Sequence, residues 1–373
     1  MADHITHDAA YRAVDRDDFS SMIETERYHQ RSSDFDEIIS ATVDHFWDPT
    51  DPRYIDFDAS FALDAKTLMP NEFFAEFNSG VTDRLDEGQQ IALSNELTRF
   101  SLSQILHGEQ GAMSLSASLC HILWDPGAQE YASNQVREEA RHVAAFARYI
   151  EKRWGRPLPV GKAMGGFFSE IVLAPEVYKK LIGMQMIVEG FAMGAFATMQ
   201  TKTHDPLLRR LIQLVMTDEA FHHKFGRIWA GSTVPKLSEE EHIKIEDWAE
   251  LTFNMLLGNL MSPEQKQDIY PRFGLEWEWV RDAVAESFTD DIRRKAMSRS
   301  TNAFRVLIRT LLHAGIITDR TRATYARWVD MEELRTQGPG LAEADAVASA
   351  GLDELREINS GRKKMGATAR LLS

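Results

Sequence analysis

The sequence is short of several things. It has one cysteine, Cys120, in 373 residues. One thiol cannot close an intrachain disulfide, form a Cys-x-x-Cys redox pair, or ligate a zinc ion or iron–sulfur cluster on its own. Such sparing use fits a reducing, cytoplasmic setting. Positive charge is also short: 42 Lys+Arg stand against 57 Asp+Glu, a formal net charge of −15. That balance argues against nucleic acid and anionic membrane surfaces as partners, because neutralising phosphate needs excess Lys and Arg. Val/Ile/Thr alternation punctuated by Gly-Asn turns is absent, so nothing predicts a sheet. No glycine-rich dinucleotide fingerprint occurs. The first residues (Met1-Ala-Asp-His-Ile-Thr-His-Asp8) contain no basic or apolar leader region, so no secretory signal is expected. The most apolar run, 181–199, reaches membrane-span length, but Glu189 stands at its centre. A lone acid there is costly in lipid, so the expectation is a buried helix with a working carboxylate and no membrane span.

What is present is helical periodicity. Hydrophobic residues are 43% and charged residues 27% of the chain, an ordinary globular balance, and the expected fold is all-α. Residues 1–85 read as a helical arm, with Ser33 as N-cap of a helix over 34–47 that Asp48-Pro-Thr-Asp-Pro52 ends. Four long segments follow, at 86–119, 128–154, 175–200 and 206–230. Each carries an apolar stripe at steps of three and four, interrupted by ionisable groups. Glu109 lies between Ile105 and Met113, Glu189 between Met186 and Met193, and Glu219 and His222 between Val215 and Trp229. Glu139 and His142 lie between Val136 and Phe146. Gly155-Arg-Pro-Leu-Pro159 opens a connection of roughly twenty residues, long enough for a crossover. Beyond 233 the pattern is helical again over 238–257, 262–286 and 290–312, as C-terminal helices packing on the bundle. The tail from about 338 is expected to be partly disordered.

The chemistry is carried by a duplication. Glu139-Ala-Arg-His142 and Glu219-Ala-Phe-His222 are both Glu-x-x-His, 80 residues apart. Glu109 and Glu189 are also 80 apart, and so are the turn dipeptides Asp125-Pro126 and Asp205-Pro206. One unit, Glu-x29-Glu-x-x-His with Asp-Pro near its midpoint, thus occurs twice. From each Glu the chain runs about fifteen helical residues, roughly 22 Å, turns, and returns by the same length. Each pair of Glu residues therefore comes back to one level of an antiparallel hairpin. Glu and His at i and i+3 share a helix face. Two hairpins packed face to face would gather four carboxylates and two imidazoles in the core. Four buried carboxylates cannot all stay ionised without compensation. Two divalent cations supply it, and mixed oxygen and nitrogen donors without thiolate suit iron or manganese.

On these residues the chain resembles the ferritin-like di-iron carboxylate superfamily, whose signature is one Glu from each of two helices and a Glu-x-x-His from each of two more. The resemblance covers roughly residues 86–232. It implies a four-helix bundle with a long crossover. It also implies that Glu109, Glu139, His142, Glu189, Glu219 and His222 are the metal ligands, and that the metals are two iron ions, or a manganese and an iron, with O2 as co-substrate. In similar proteins a carboxylate placed like Glu138 or Asp218 hydrogen-bonds the ligand His of the opposite half. Departures narrow the choice within the superfamily. Phe146 stands where ribonucleotide reductase keeps its radical Tyr, Met193 where bacterial multicomponent monooxygenases keep a Thr, and Val215 where p-aminobenzoate N-oxygenases keep an extra His. His223 points about 100° away from His222 on the helix and is not expected to ligate.

The resulting expectation is an O2-activating oxygenase or oxidase acting on a small organic substrate by hydroxylation, N-oxygenation or desaturation. Its electrons would come from an external reductase or ferredoxin, and a homodimer is compatible with the sequence. The alternatives are a ferroxidase or iron-handling protein, and a helical ligand-binding protein with a structural di-metal site. Gly108, Gly111, Gly190 and Gly194 flank ligand positions; they leave space for O2 and substrate or mark a π-bulge, unless they serve close helix packing. Met113, Met186, Met193, Phe146, Phe191 and Phe196 would make the neighbouring wall apolar, which points to an apolar substrate.

Overall fold

Two hairpins of long helices, met by the chain one after the other, frame everything else. The computed structural model describes residues 10–261, 263–287, 289, 303–336 and 342–361. Among them there is no strand, only an isolated bridge between Ala13 and Leu123. The longer helices are α1 (Asp36–Asp44), α2 (Glu87–Ile122), α3 (Pro126–Trp154), α4 (Lys162–Leu173) and α5 (Val177–Lys202). They continue with α6 (Pro206–Thr233), α7 (Glu239–Met261), α8 (Trp277–Ser287), α9 (Ala303–His313) and α10 (Ala342–Asn359).

Local chemistry sets the hairpin ends. Asp86 caps α2 in a reciprocal capping box with Gln89, satisfying two otherwise free backbone N–H groups. Asp125 and Asp205 cap α3 and α6 more simply, each accepting from the backbone two residues on, with Pro at the first helical position. Proline there loses no hydrogen bond and has a helical φ already. Glu109 stands thirteen residues before the end of α2, and Glu139 thirteen after the start of α3. Glu189 and Glu219 stand thirteen from the ends of α5 and α6 that meet at the second turn. All four are thus placed about 20 Å from a turn.

The apolar core is divided at this level. One cluster takes Leu115 and Leu119 of α2, Tyr131 of α3, Leu181–Ile187 of α5 and Phe225 and Trp229 of α6. The other takes Leu102 and Leu106 of α2, Phe146 and Tyr149 of α3, Met193 and Phe196 of α5 and Leu208, Leu211 and Val215 of α6. The first cluster contains the α2–α3 turn, and the second lies toward the α5–α6 turn. The two turns therefore lie at opposite ends, and the connection 155–176, with α4 packed on α2, must travel the bundle's length between them.

Helix α5 is the one described helix long and apolar enough to cross a membrane, but most of it is buried inside the protein. Two local expectations need correction. The arm helix begins at Asp36 without a side-chain cap, Ser33 contributing only its carbonyl. In place of the single helix expected over 262–286, the described residues from Pro263 to Ser287 hold two 3-10 turns and α8, because Pro263 and Pro271 interrupt a continuous helix. The first part of the 290–312 helix lies outside the described residues. The stretch after 338 carries α10, which buries Ala348, Leu355 and Ile358 and packs on α6; residues 337–341 and 362–373 lie outside the described residues.

Candidate metal centre

All six sequence-selected residues come together between the two apolar clusters. None is more than 7% exposed. They form two overlapping sets, Glu109, Glu139, His142 and Glu219, and Glu139, Glu189, Glu219 and His222, with one donor atom of each residue within 4.8 Å of the others. Glu139 and Glu219 belong to both. His142 Nδ1 lies 3.3 Å from Glu109 Oε2, 3.3 Å from Glu139 Oε2 and 3.1 Å from Glu219 Oε1. His222 Nδ1 lies 3.1 Å from Glu139 Oε1 and 3.1 Å from Glu219 Oε2. Each shared carboxylate thus turns one oxygen to one imidazole and its other oxygen to the second.

One ring nitrogen cannot satisfy three carboxylates with one hydrogen. Accordingly Glu139 Oε2 and Glu219 Oε1 are buried without a hydrogen-bond donor among the described residues, an expensive condition for a carboxylate. A cation at each set would satisfy them. The donor set is four carboxylates and two imidazoles without sulfur, so these residues fit two divalent ions of the harder kind.

The far nitrogens are held crosswise. His142 Nε2 bonds Asp218 Oδ2 at 2.8 Å, and His222 Nε2 bonds Glu138 Oε2 at 2.9 Å. Each imidazole is fixed by an acid from the other hairpin, which leaves Nδ1 facing the carboxylates. His223 turns away, bonding Thr310 Oγ1 at 2.9 Å. Burial among Arg227 and Arg309 holds its imidazole down at about 3.

Charge in the cluster is balanced by protons. Burial, then the neighbouring Glu219, pushes Glu109 and Glu189 well above the usual carboxylate range. Burial alone would strip His142 and His222 of their protons, but the carboxylates around each outweigh it and hold both well above an ordinary histidine. Burial also works against ionised Glu219, yet His222 and His142 keep it well below the usual range.

Sequence reasoning missed the next layer. Arg141, between Glu139 and His142, bonds Asp218 through Nε at 3.1 Å and Nη2 at 2.7 Å. Trp47 Nε1 donates to Asp218 Oδ2 at 2.8 Å and its ring stacks 6.1 Å from that of His142. His45 Nε2 lies 2.7 Å from Glu138 Oε1 and 3.4 Å from Asp218 Oδ1, touching both outer acids from the arm. The Arg141 guanidinium on Asp218 opposes reading His45, Glu138 and Asp218 as a further cation site. Arg141 had a local signal, its place inside the motif; the arm residues had none, standing 93 and 171 positions from their partners.

The glycines are spent on packing. A Cβ on Gly194 would lie 2.4 Å from Ala303 Cα, and one on Gly190 3.6 Å from Leu307 Cα, so both seat α9. Gly108 and Gly111 lie under Phe168 of α4. A π-helical turn does occur, over Leu181–Val188, ending beside Glu189. The expected apolar wall is dispersed: Phe146, Met193 and Phe196 join one cluster, Met186 the other, and Phe191 packs on Phe304 of α9.

No protein-family model matches this sequence, and a search of curated proteins finds no match. The resemblance to the di-iron carboxylate proteins therefore rests on the residues themselves.

Proposed function

We propose that this protein is a ferritin-like non-haem di-iron enzyme that activates O2 and oxidises a small, apolar organic substrate. The observation that carries the reading is the pair of four-residue sets sharing Glu139 and Glu219, the donor arrangement that two adjacent cations need. Glu109 with His142 and Glu189 with His222 would complete the two positions. A reduced iron pair supplies the electrons that O2 chemistry requires. The protein's own residues do the rest. Asp218 and Glu138 fix the imidazoles, while Arg141, Trp47 and His45 hold those acids. The two apolar clusters exclude water from above and below, which strengthens every charge interaction between them. Carboxylates are suited to the task because they can bridge or bind terminally as charge changes. A single cysteine and no dinucleotide fingerprint mean that electrons arrive from a separate reductase or ferredoxin.

The test is metal analysis with anomalous diffraction on native protein, followed by anaerobic Fe(II) loading and O2 addition. Two metals per chain and rapid O2 uptake are expected. Iron-loaded protein that consumes no O2 would overturn the enzymatic reading, and large assemblies holding hundreds of irons would replace it with iron storage.

A further inference from the structure

The π-helical turn contains one polar side chain. In Leu181–Val188, Gln185 stands among apolar residues and glycine, and it is fully buried. So is Gln135 on α3. Their amides are joined, Gln185 Nε2 donating to Gln135 Oε1 at 3.0 Å. Gln135 Nε2 then reaches Glu139 Oε1 at 3.0 Å and Glu189 Oε1 at 3.4 Å.

The direction of this chain follows from charge. Carboxylates that hold a metal can only accept, so in that state Gln135 must turn its NH2 group to Glu139 and Glu189. Its carbonyl can then only accept, so Gln185 must turn its own NH2 group to Gln135. Gln185 Oε1 is left buried without a donor among the described residues. Packing alone would be served as well by Leu or Met, without the cost of burying two amides.

The contact is selective. Glu139 Oε1 is the oxygen that faces His222, whereas Oε2 faces His142. Glu189 belongs only to the His222 set. Gln135 therefore touches oxygens of that one set, holds the two carboxyl groups at a common point, and occupies one lone pair on each. We infer that Gln135 is a positioning residue for the metal position of Glu189 and His222, and that Gln185, presented by the π-turn, acts through it.

This inference rests on the di-metal reading above. The test compares full-length wild-type, Gln135→Leu, Gln185→Leu and the double variant by Mn(II) titration, with paramagnetic resonance reporting free Mn(II) and spin coupling between bound ions. Wild-type protein should bind two Mn(II). In Gln135→Leu one of the two affinities should fall by about 10–100-fold, the range for residues that orient ligands, with loss of the coupled signal. Gln185→Leu should weaken the same position less, and the double variant should be no worse than Gln135→Leu alone. Wild-type binding with unchanged affinities and coupling in Gln135→Leu would overturn the inference and leave the metal reading standing. Wild-type protein that takes up no Mn(II) would overturn both. Should Gln135→Leu fail to fold, Gln185→Leu decides: selective weakening supports the relay, and unchanged binding refutes it.

Discussion

The two hairpins place their ligands alike and support them differently. In both, each Glu stands thirteen residues from its helix end at an Asp-Pro turn, and the His follows at the same step. The residue before each His differs. In α3 it is Arg141, which grips Asp218. In α6 it is Phe221, whose ring stacks 4.7 Å from His45, and His45 bonds Glu138. One outer acid is thus steadied by a guanidinium from its neighbour in the bundle, the other mainly by an imidazole from the arm. Asp218 collects Arg141, Trp47 and His142, and despite burial Arg141 and His142 hold it far below the usual carboxylate range. Glu138, bonded by His222 and His45, is lowered less. Helix regularity differs too: α2 and α3 are unbroken, while α5 has its π-turn beside Glu189. The repeated geometry places its candidate ligands alike and braces them differently, so the two candidate cation positions are not equivalent.

The largest blow to both halves is expected at a shared residue. Glu219→Ala should reduce binding from two metals to at most one, measured by metal analysis of purified protein; retention of both would remove Glu219 from the ligand set. Next comes the contrast between the outer acids. Asp218→Asn removes the carboxylate that takes two bonds from buried Arg141 and leaves that guanidinium only the longer 3.6 Å pair with Glu138, a loss on the order of 3–5 kcal/mol of stability. Glu138→Gln should cost about 1–3 kcal/mol, and denaturant melts of the metal-free proteins would reveal the order. Equal losses would erase the asymmetry.

The protonation pattern gives a smaller, graded effect. In the metal-free protein His142, His222, Glu109 and Glu189 all hold protons more tightly than usual. Metal must displace them, so affinity should fall as pH falls and protons should be released on binding. Calorimetry in buffers of different ionisation enthalpy would count them. The smallest effect on metal is expected from Gly194→Ala. Its methyl group would meet the Ala303 backbone, costing about 1–3 kcal/mol while both metals stay bound.

Much of the cluster was legible because helix periodicity and an 80-residue repeat are local arithmetic. Turn chemistry was legible for the same reason, since Asp followed by Pro states where a helix starts. Helix α10 was obscured by its Ala and Gly content, and its order comes from burying Leu355 and Ile358 against the body. The π-turn was not readable, because nothing in Leu-Ile-Gly-Met-Gln-Met-Ile-Val distinguishes one register of backbone bonding from another. His45 and Trp47 were invisible for a simpler reason: folding alone brings the arm to them. The glycines carried a true signal of close approach, but what approaches is α4 and α9.

The crosswise bracing of His142 and His222 has one more consequence. Either hairpin alone would carry only three of the four donors of its set and would leave its imidazole free to swivel. The two repeats are thus hostages to each other. A change to Asp218 would first be felt at His142, in the opposite repeat, and a change to Glu138 at His222. Neither copy could decay in private, so a duplication of this kind is preserved by the mutual dependence of its halves.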